Sequence, residues 1–159
     1  MENEIIDYIL QTKTQHYRIA YSYVKNKEDA LDIIQDTIVK ALKYQHTLKH
    51  KQYLHTWFCR ILINTCKTHL AKHGHYIVTS EGEFLSNPFL SSSQEDAYQH
   101  LEIEDALNAL NENERTIVML RYFEGLELKE IASAIDQNLS TVKSTLYRAL
   151  KKMKVKLNS

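Results

Sequence analysis

An all-α chain, built as two small helical domains joined by a linker, is the fold class that these 159 residues predict, and three observations carry the prediction. There is one Pro and there are three Gly, too few for the turns that strands require. Apolar residues recur at helical spacing through most of the chain. The helical pattern lapses between residues 74 and 94, which hold Pro88, Gly74, Gly82 and the run Ser91, Ser92, Ser93. A hydrophobic content of 43% supports folded cores on either side of that break. The expected boundaries are a first domain over 1–73, a linker over 74–94 and a second domain over 95–159.

The elements follow in order. Residues 4–25 read as a helix, with Ile5, Ile6, Ile9, Ile19, Tyr23 and Val24 partly periodic. Residues 28–44 are clearer: Ala30, Leu31, Ile34, Ile38, Ala41 and Leu42 line one face, and the acidic start suits the helix dipole. After the polar stretch TLKHKQ, residues 53–72 form a third helix with Trp57, Phe58, Ile61, Leu62, Thr65 and Leu70, packed against the second. Helical pattern resumes at 95–109. Asn111 is placed to cap a helix over 112–123, with Ile117, Val118, Leu120 and Phe123 inward. Gly125 ends it through a left-handed backbone.

Residues 127–153, ELKEIASAIDQNLSTVKSTLYRALKKM, carry the most information. Two short helices flank a tight turn, and the second is basic. That is a helix-turn-helix pattern, whose second helix enters the DNA major groove. Ile131, Ala132 and Ile135 edge the first helix, with small Ala132 expected at the helix crossing. Asn138 caps the second. Val142, Leu146, Ala149, Leu150 and Met153 form its apolar face, and Lys143, Ser144, Tyr147, Arg148 and Lys151 the opposite one. Residues 139–159 hold six Lys/Arg and no Asp/Glu. The alternative is a solvated face that complements its own helix dipole.

The formal net charge of zero hides three blocks. Residues 1–75 balance at +4, residues 76–114 at −9, and residues 115–159 at +5. Two basic blocks fit a polyanion partner. No apolar run approaches ~20 residues, so no transmembrane helix is expected. The N-terminal stretch lacks a signal peptide's layout, and two cysteines, Cys59 and Cys66, fit a reduced, cytoplasmic setting.

Three stretches, in order, resemble sigma-70-type RNA polymerase initiation factors of the extracytoplasmic-function (ECF) group. EDALDIIQDTIVKAL (28–42) is similar to the polymerase-binding helix of the second conserved region. YLHTWFCRILINTCKTHL (53–70) is similar to the segment that melts promoters and reads the −10 box. LNALNENERTIVMLRYFEGLELKEIASAIDQNLSTVKSTLYRALKKM (107–153) is similar to the fourth region, which reads the −35 box.

The resemblance implies a non-enzymatic factor without cofactor or metal. Its implied partners are core RNA polymerase, promoter DNA and an anti-sigma factor, commonly membrane-anchored. By motif position, Arg121, Lys143, Ser144, Tyr147 and Arg148 would serve the −35 box, and Trp57, Arg60, Asn64, Lys67 and Thr68 the −10 box. Asp29, Asp32, Ile33, Gln35 and Asp36 would face the polymerase. Bland readings stand beside these: Tyr147 packs beside Leu150, Asn64 interrupts its helix, Trp57 belongs to the core, and the acidic residues are a solvated face. Departures from the family pattern are Asp136 for a turn Gly, Gln137 for an aliphatic residue, Ser140 for Gly, and Thr145 for an Arg. The last implies one lost phosphate contact.

Cys66, His69 and His73 fall at i, i+3 and i+7, a spacing open to zinc, with His75 nearby. There is no CxxC pair, and a metal-dependent module is the least favoured reading. A stand-alone helix-turn-helix regulator is the main alternative, but it leaves residues 28–42 and 53–70 without a role.

Overall fold

The structure is a computed structural model and describes residues 1–73 and 102–158. All regular structure among them is helical. Two compact units divide the chain, Met1–Ser80 and Glu81–Ser159. The expected linker, 74–94, and the first part of the helix expected over 95–109 lie outside the described residues.

The first unit is a three-helix bundle in which each helix packs on the other two. Helix α1 spans Glu2–Val24 and opens with Glu2 and Glu4, acidic residues at the positive end of the dipole. It ends at Lys25, whose φ of 60° reverses the chain and whose N–H bonds to the Tyr21 carbonyl. Helix α2 spans Lys27–Lys43. The Asn26 side chain accepts from the Asp29 N–H, a good N-cap, and Lys40 and Lys43 occupy the last turn. Two single 3₁₀ turns, Gln45–Thr47 and Lys51–Tyr53, lead into α3, Leu54–His73.

Periodicity found the bundle but misjudged parts of its core. Tyr17 and Tyr21 are among its largest fully buried side chains, whereas Ile6 is 39% exposed. Ile5, Ile9, Ala41 and Phe58 form a cluster against which Tyr8, Leu42, Trp57 and Ile61 pack.

In the second unit α4 covers residues 102–108. Helix α5, Glu112–Tyr122, starts with a capping box: Asn111 accepts from the Glu114 N–H, and Glu114 accepts from the Asn111 N–H. Gly125, at φ 70°, follows as expected. Helix α6, Leu128–Ile135, and α7, Leu139–Leu157, form the helix-turn-helix and pack on each other and on α5.

The turn between them keeps its shape without Gly. Asp136 is left-handed, φ 55° and ψ 45°, a conformation that Asp reaches more readily than most residues. Asn138 caps α7 by accepting from the Thr141 N–H at 2.8 Å. Ala134, and not Ala132, is the small residue that is fully buried.

Candidate nucleic-acid interface

Helix α7 sorts its side chains between two faces. Val142, Thr145, Leu146 and Ala149 are buried, at successive spacings of three, one and three residues. Lys143, Ser144, Tyr147, Arg148 and Lys151 are all exposed on the other face. Tyr147 is 63% exposed, and Lys151 Nζ sits 4.9 Å from its ring centroid, so the ring is presented and not packed away.

The apolar face is narrower than expected, because Leu150 is 38% exposed. Thr145, where the family pattern has Arg, is 1% exposed and accepts a hydrogen bond from Arg148 Nη2 at 3.3 Å. Its hydroxyl positions a neighbouring cation instead.

Residues behind α7 hold it in place. Arg121 is half-buried, and its Nη1 donates to the Leu126 carbonyl at 3.0 Å, pinning the turn before α6. Gln137 Nε2 donates to Asn113 Oδ1 at 2.7 Å, tying the helix-turn-helix turn to the start of α5. Lys152 Nζ meets Glu114 Oε1 at 2.9 Å, and Glu114 is only 2% exposed. Burial pushes the Glu114 carboxyl up. The hydrogen bonds from Lys152 and the Asn111 N–H, with the charges of Lys152 and Arg148, outweigh it and hold the group below the usual carboxylate value.

The first unit carries a cleft of about 440 Å³ lined by Lys40, Tyr44, Thr47, Trp57, Arg60, Ile61, Asn64 and Thr65. Three of the five residues expected at the −10 box are in that lining; Lys67 and Thr68 are exposed on the next turn of α3. Trp57 does two jobs. Part of its ring packs on the bundle core, and its indole Nε1 donates to the Thr47 hydroxyl at 2.9 Å. Lys40 Nζ donates to the Thr65 hydroxyl at 3.2 Å, which in turn donates to the Ile61 carbonyl. The walls are therefore aromatic and aliphatic, with amide, hydroxyl and cationic groups at the edge. A single unstacked base needs that combination of stacking surface, polar edge and positive charge.

Lys40, Tyr44 and Thr47 were missed by sequence reasoning. They come from the end of α2 and the first 3₁₀ turn, where no periodicity connects them to Trp57.

On α2, Asp32, Gln35 and Asp36 are exposed, together with Val39, which is 63% exposed. Spacings of three, one and three residues place these four on one face. Val39 was legible by extending that series one step. Ile33 is corrected: it is fully buried, because its position in the helix turns it to the bundle interior. Asp29 is half-buried and engaged locally, accepting from Asn26 Nδ2 at 2.8 Å. At the end of α3, Cys66 lies in the core while His73 is exposed, so the Cys–His–His set is divided between faces.

Two helical units, one presenting a cationic helix-turn-helix and the other an aromatic cleft with polar edges, define a two-part helical protein suited to nucleic acid. Comparison with known proteins narrows that class. Residues 9–76 match the family described as Sigma-70 region 2, and residues 100–153 match Sigma-70, region 4. The chain is 40% identical over 153 residues to RNA polymerase sigma factor SigV of Bacillus subtilis (strain 168), covering 96% of this chain and 90% of that protein. It is 27% identical to ECF RNA polymerase sigma factor SigM of the same organism, covering 89% of this chain and 88% of that one.

Among solved structures, it is similar to the sigma factor RpoE of Bartonella quintana, crystallised with the anti-sigma factor NepR. The TM-score is 0.79 at 21% identity, over 96% of this chain and 95% of that one. It is also similar to CnrH in complex with the cytosolic domain of CnrY, with a TM-score of 0.69 at 17% identity, over 97% and 87% of the two chains. The chain belongs to the sigma-70 family of RNA polymerase sigma factors, in its ECF group.

Proposed function

We propose that this ECF sigma factor docks on core RNA polymerase through the exposed face of α2 and reads the −35 box with α7. The cleft between the end of α2 and α3 receives an unstacked −10 base. The single observation that carries this assignment is the coincidence of the cleft with Trp57, Arg60 and Asn64. A generic helical bundle has no reason to keep an open, polar-edged pocket at that place.

Lys143, Ser144, Tyr147 and Arg148 are the −35 contacts: Lys and Arg suit phosphate or guanine, Ser bonds either way, and the Tyr ring meets a thymine methyl. Arg121 acts from behind, by fixing the turn, and reaches the DNA backbone with its remaining N–H groups. Lys67 and Thr68 follow the strand away from the cleft. Asp32, Gln35 and Asp36, with Val39 among them, supply an acidic, partly apolar docking face for a basic surface of the polymerase; Asp29 supports its first turn. The factor works in the cytoplasm, without catalysis of its own.

Two solved relatives in fold have a bound partner, one of them named as an anti-sigma factor. This supports an anti-sigma factor, membrane-anchored in the commonest arrangement, that covers the same faces in this protein.

Promoter-directed transcription with purified core polymerase tests the reading. Asp32→Lys with Asp36→Lys should abolish core binding. Lys143→Ala with Arg148→Ala should abolish transcription while core binding persists. Tight, polymerase-independent binding of the wild type to a palindromic duplex would instead support a stand-alone regulator.

A further inference from the structure

Thr145 lies on the buried face of α7 yet carries a hydroxyl, and that hydroxyl meets the guanidinium of Arg148, one turn further on. We propose that Thr145 is a positioning residue for −35 recognition, which aims Arg148 at the base or phosphate that it contacts. The inference rests on the reading of α7 as the −35 helix.

Three observations carry it. Thr145 is 1% exposed, so its hydroxyl needs a partner within the protein. A buried hydroxyl is costly without one, and valine has the same shape and would avoid that cost. Arg148 Nη2 donates to Thr145 Oγ1 at 3.3 Å, which ties the head of a long, exposed side chain to a fixed point in the core. Glu114 is a second fixed point, since its buried carboxylate feels the charge of Arg148 as well as that of Lys152. A neutral acceptor on α7 and an anion on α5 thus draw the guanidinium toward one flank of the helix.

The tether leaves Arg148 able to bind. A guanidinium has five N–H donors, and the bond to Thr145 uses one. The others suffice for a two-pronged contact with guanine O6 and N7, or with a phosphate. At 3.3 Å the bond is soft, so it favours one orientation of the head without locking it. Ordering a long side chain on binding costs affinity, and a head already aimed avoids part of that cost. Arg, the residue of the family pattern at this position, has no acceptor to offer Arg148, so the exchange for Thr creates the tether.

The test measures binding by the holoenzyme, assembled from the full-length chain and core polymerase. The probe is a duplex that the wild-type holoenzyme selects from a pool with a randomised −35 box. Lys143→Ala and Arg148→Ala should each weaken binding, which establishes α7 as the reading helix. Thr145→Val should weaken it by about two- to tenfold. Thr145→Ser keeps the hydroxyl and should restore wild-type binding. In the Arg148→Ala background, Thr145→Val should have no further effect. A purely structural role would weaken both backgrounds alike, and that result overturns the proposal. So does full binding by Thr145→Val, with the reading of α7 left intact. Thermal midpoints report folding, and if Thr145→Val does not fold, Thr145→Ala removes the same hydroxyl. Full binding by Arg148→Ala alone removes the positioning role and spares the −35 reading. Full binding by both Lys143→Ala and Arg148→Ala overturns the two together.

Discussion

Lys152 on the back of α7 donates to the buried carboxylate of Glu114, 38 residues earlier, at 2.9 Å. The same carboxylate closes the capping box that starts α5. One side chain thus couples the start of one helix to the position of the cationic helix α7.

This coupling makes stability pH-dependent. The folded value of Glu114 lies below its ordinary 4.5, so its contribution is complete above 4.5 and is lost as pH falls through the folded value. Glu114→Gln keeps the cap acceptor but loses the charge, and should cost about 1–3 kcal/mol at neutral pH. Urea midpoints of wild type and variant should converge on acidification. Parallel midpoints at every pH would show that the pair is not what Glu114 contributes.

The turn at Asp136 yields a second expectation. Left-handed backbone costs an L-residue about 1–2 kcal/mol, less for Asp than for most. Asp136→Gly should be neutral or slightly stabilising, and Asp136→Val should lower stability by at least about 1 kcal/mol. Thermal unfolding distinguishes them, and equal midpoints would remove the turn from the account.

Along α7, the expected division of labour is between affinity and choice. Lys143→Ala should weaken binding of the polymerase complex to all promoters similarly and reduce the salt slope by about 1. Tyr147→Ala should alter preference among −35 sequences while changing stability little, because the ring is 63% exposed. A uniform loss of affinity with Tyr147→Ala would place the ring at the phosphate backbone instead.

The Trp57–Thr47 hydrogen bond makes the cleft testable apart from the core. Thr47→Val removes the acceptor and should cost about 1 kcal/mol, with weaker capture of a single-stranded −10 fragment. Asn64→Ala should reduce capture without loss of stability, since Asn64 is exposed. Trp57→Ala should do both, because the ring packs on the cluster around Phe58. Unchanged fragment binding in all three would dissociate the cleft from base recognition.

Much was legible from residue type and spacing. Asn111, Asn138 and Gly125 occupy the capping and turn positions that their chemistry specifies. The exposed set Lys143, Ser144, Tyr147 and Arg148 was read from one helix's period. Errors arose where one or two residues decide a face. Ile33 was assigned by motif position, yet the bundle turns it inward. Ala132 and Ala134 differ by two residues, and only packing selects the buried one. Lys25 has a left-handed φ that no sequence signal announced.

The sequence by itself determined the helical class, the division of the chain into two helical units and the exposed cationic face of α7. Those depend on local propensity, capping and periodicity, which act over a few residues. Only the tertiary structure decided which side chains meet across helices. Thr47 beneath Trp57, Lys152 on Glu114 and Asp29 beside His69 are separated by 10, 38 and 40 residues. Their approach is set by how apolar faces pack, and no local pattern encodes that distance.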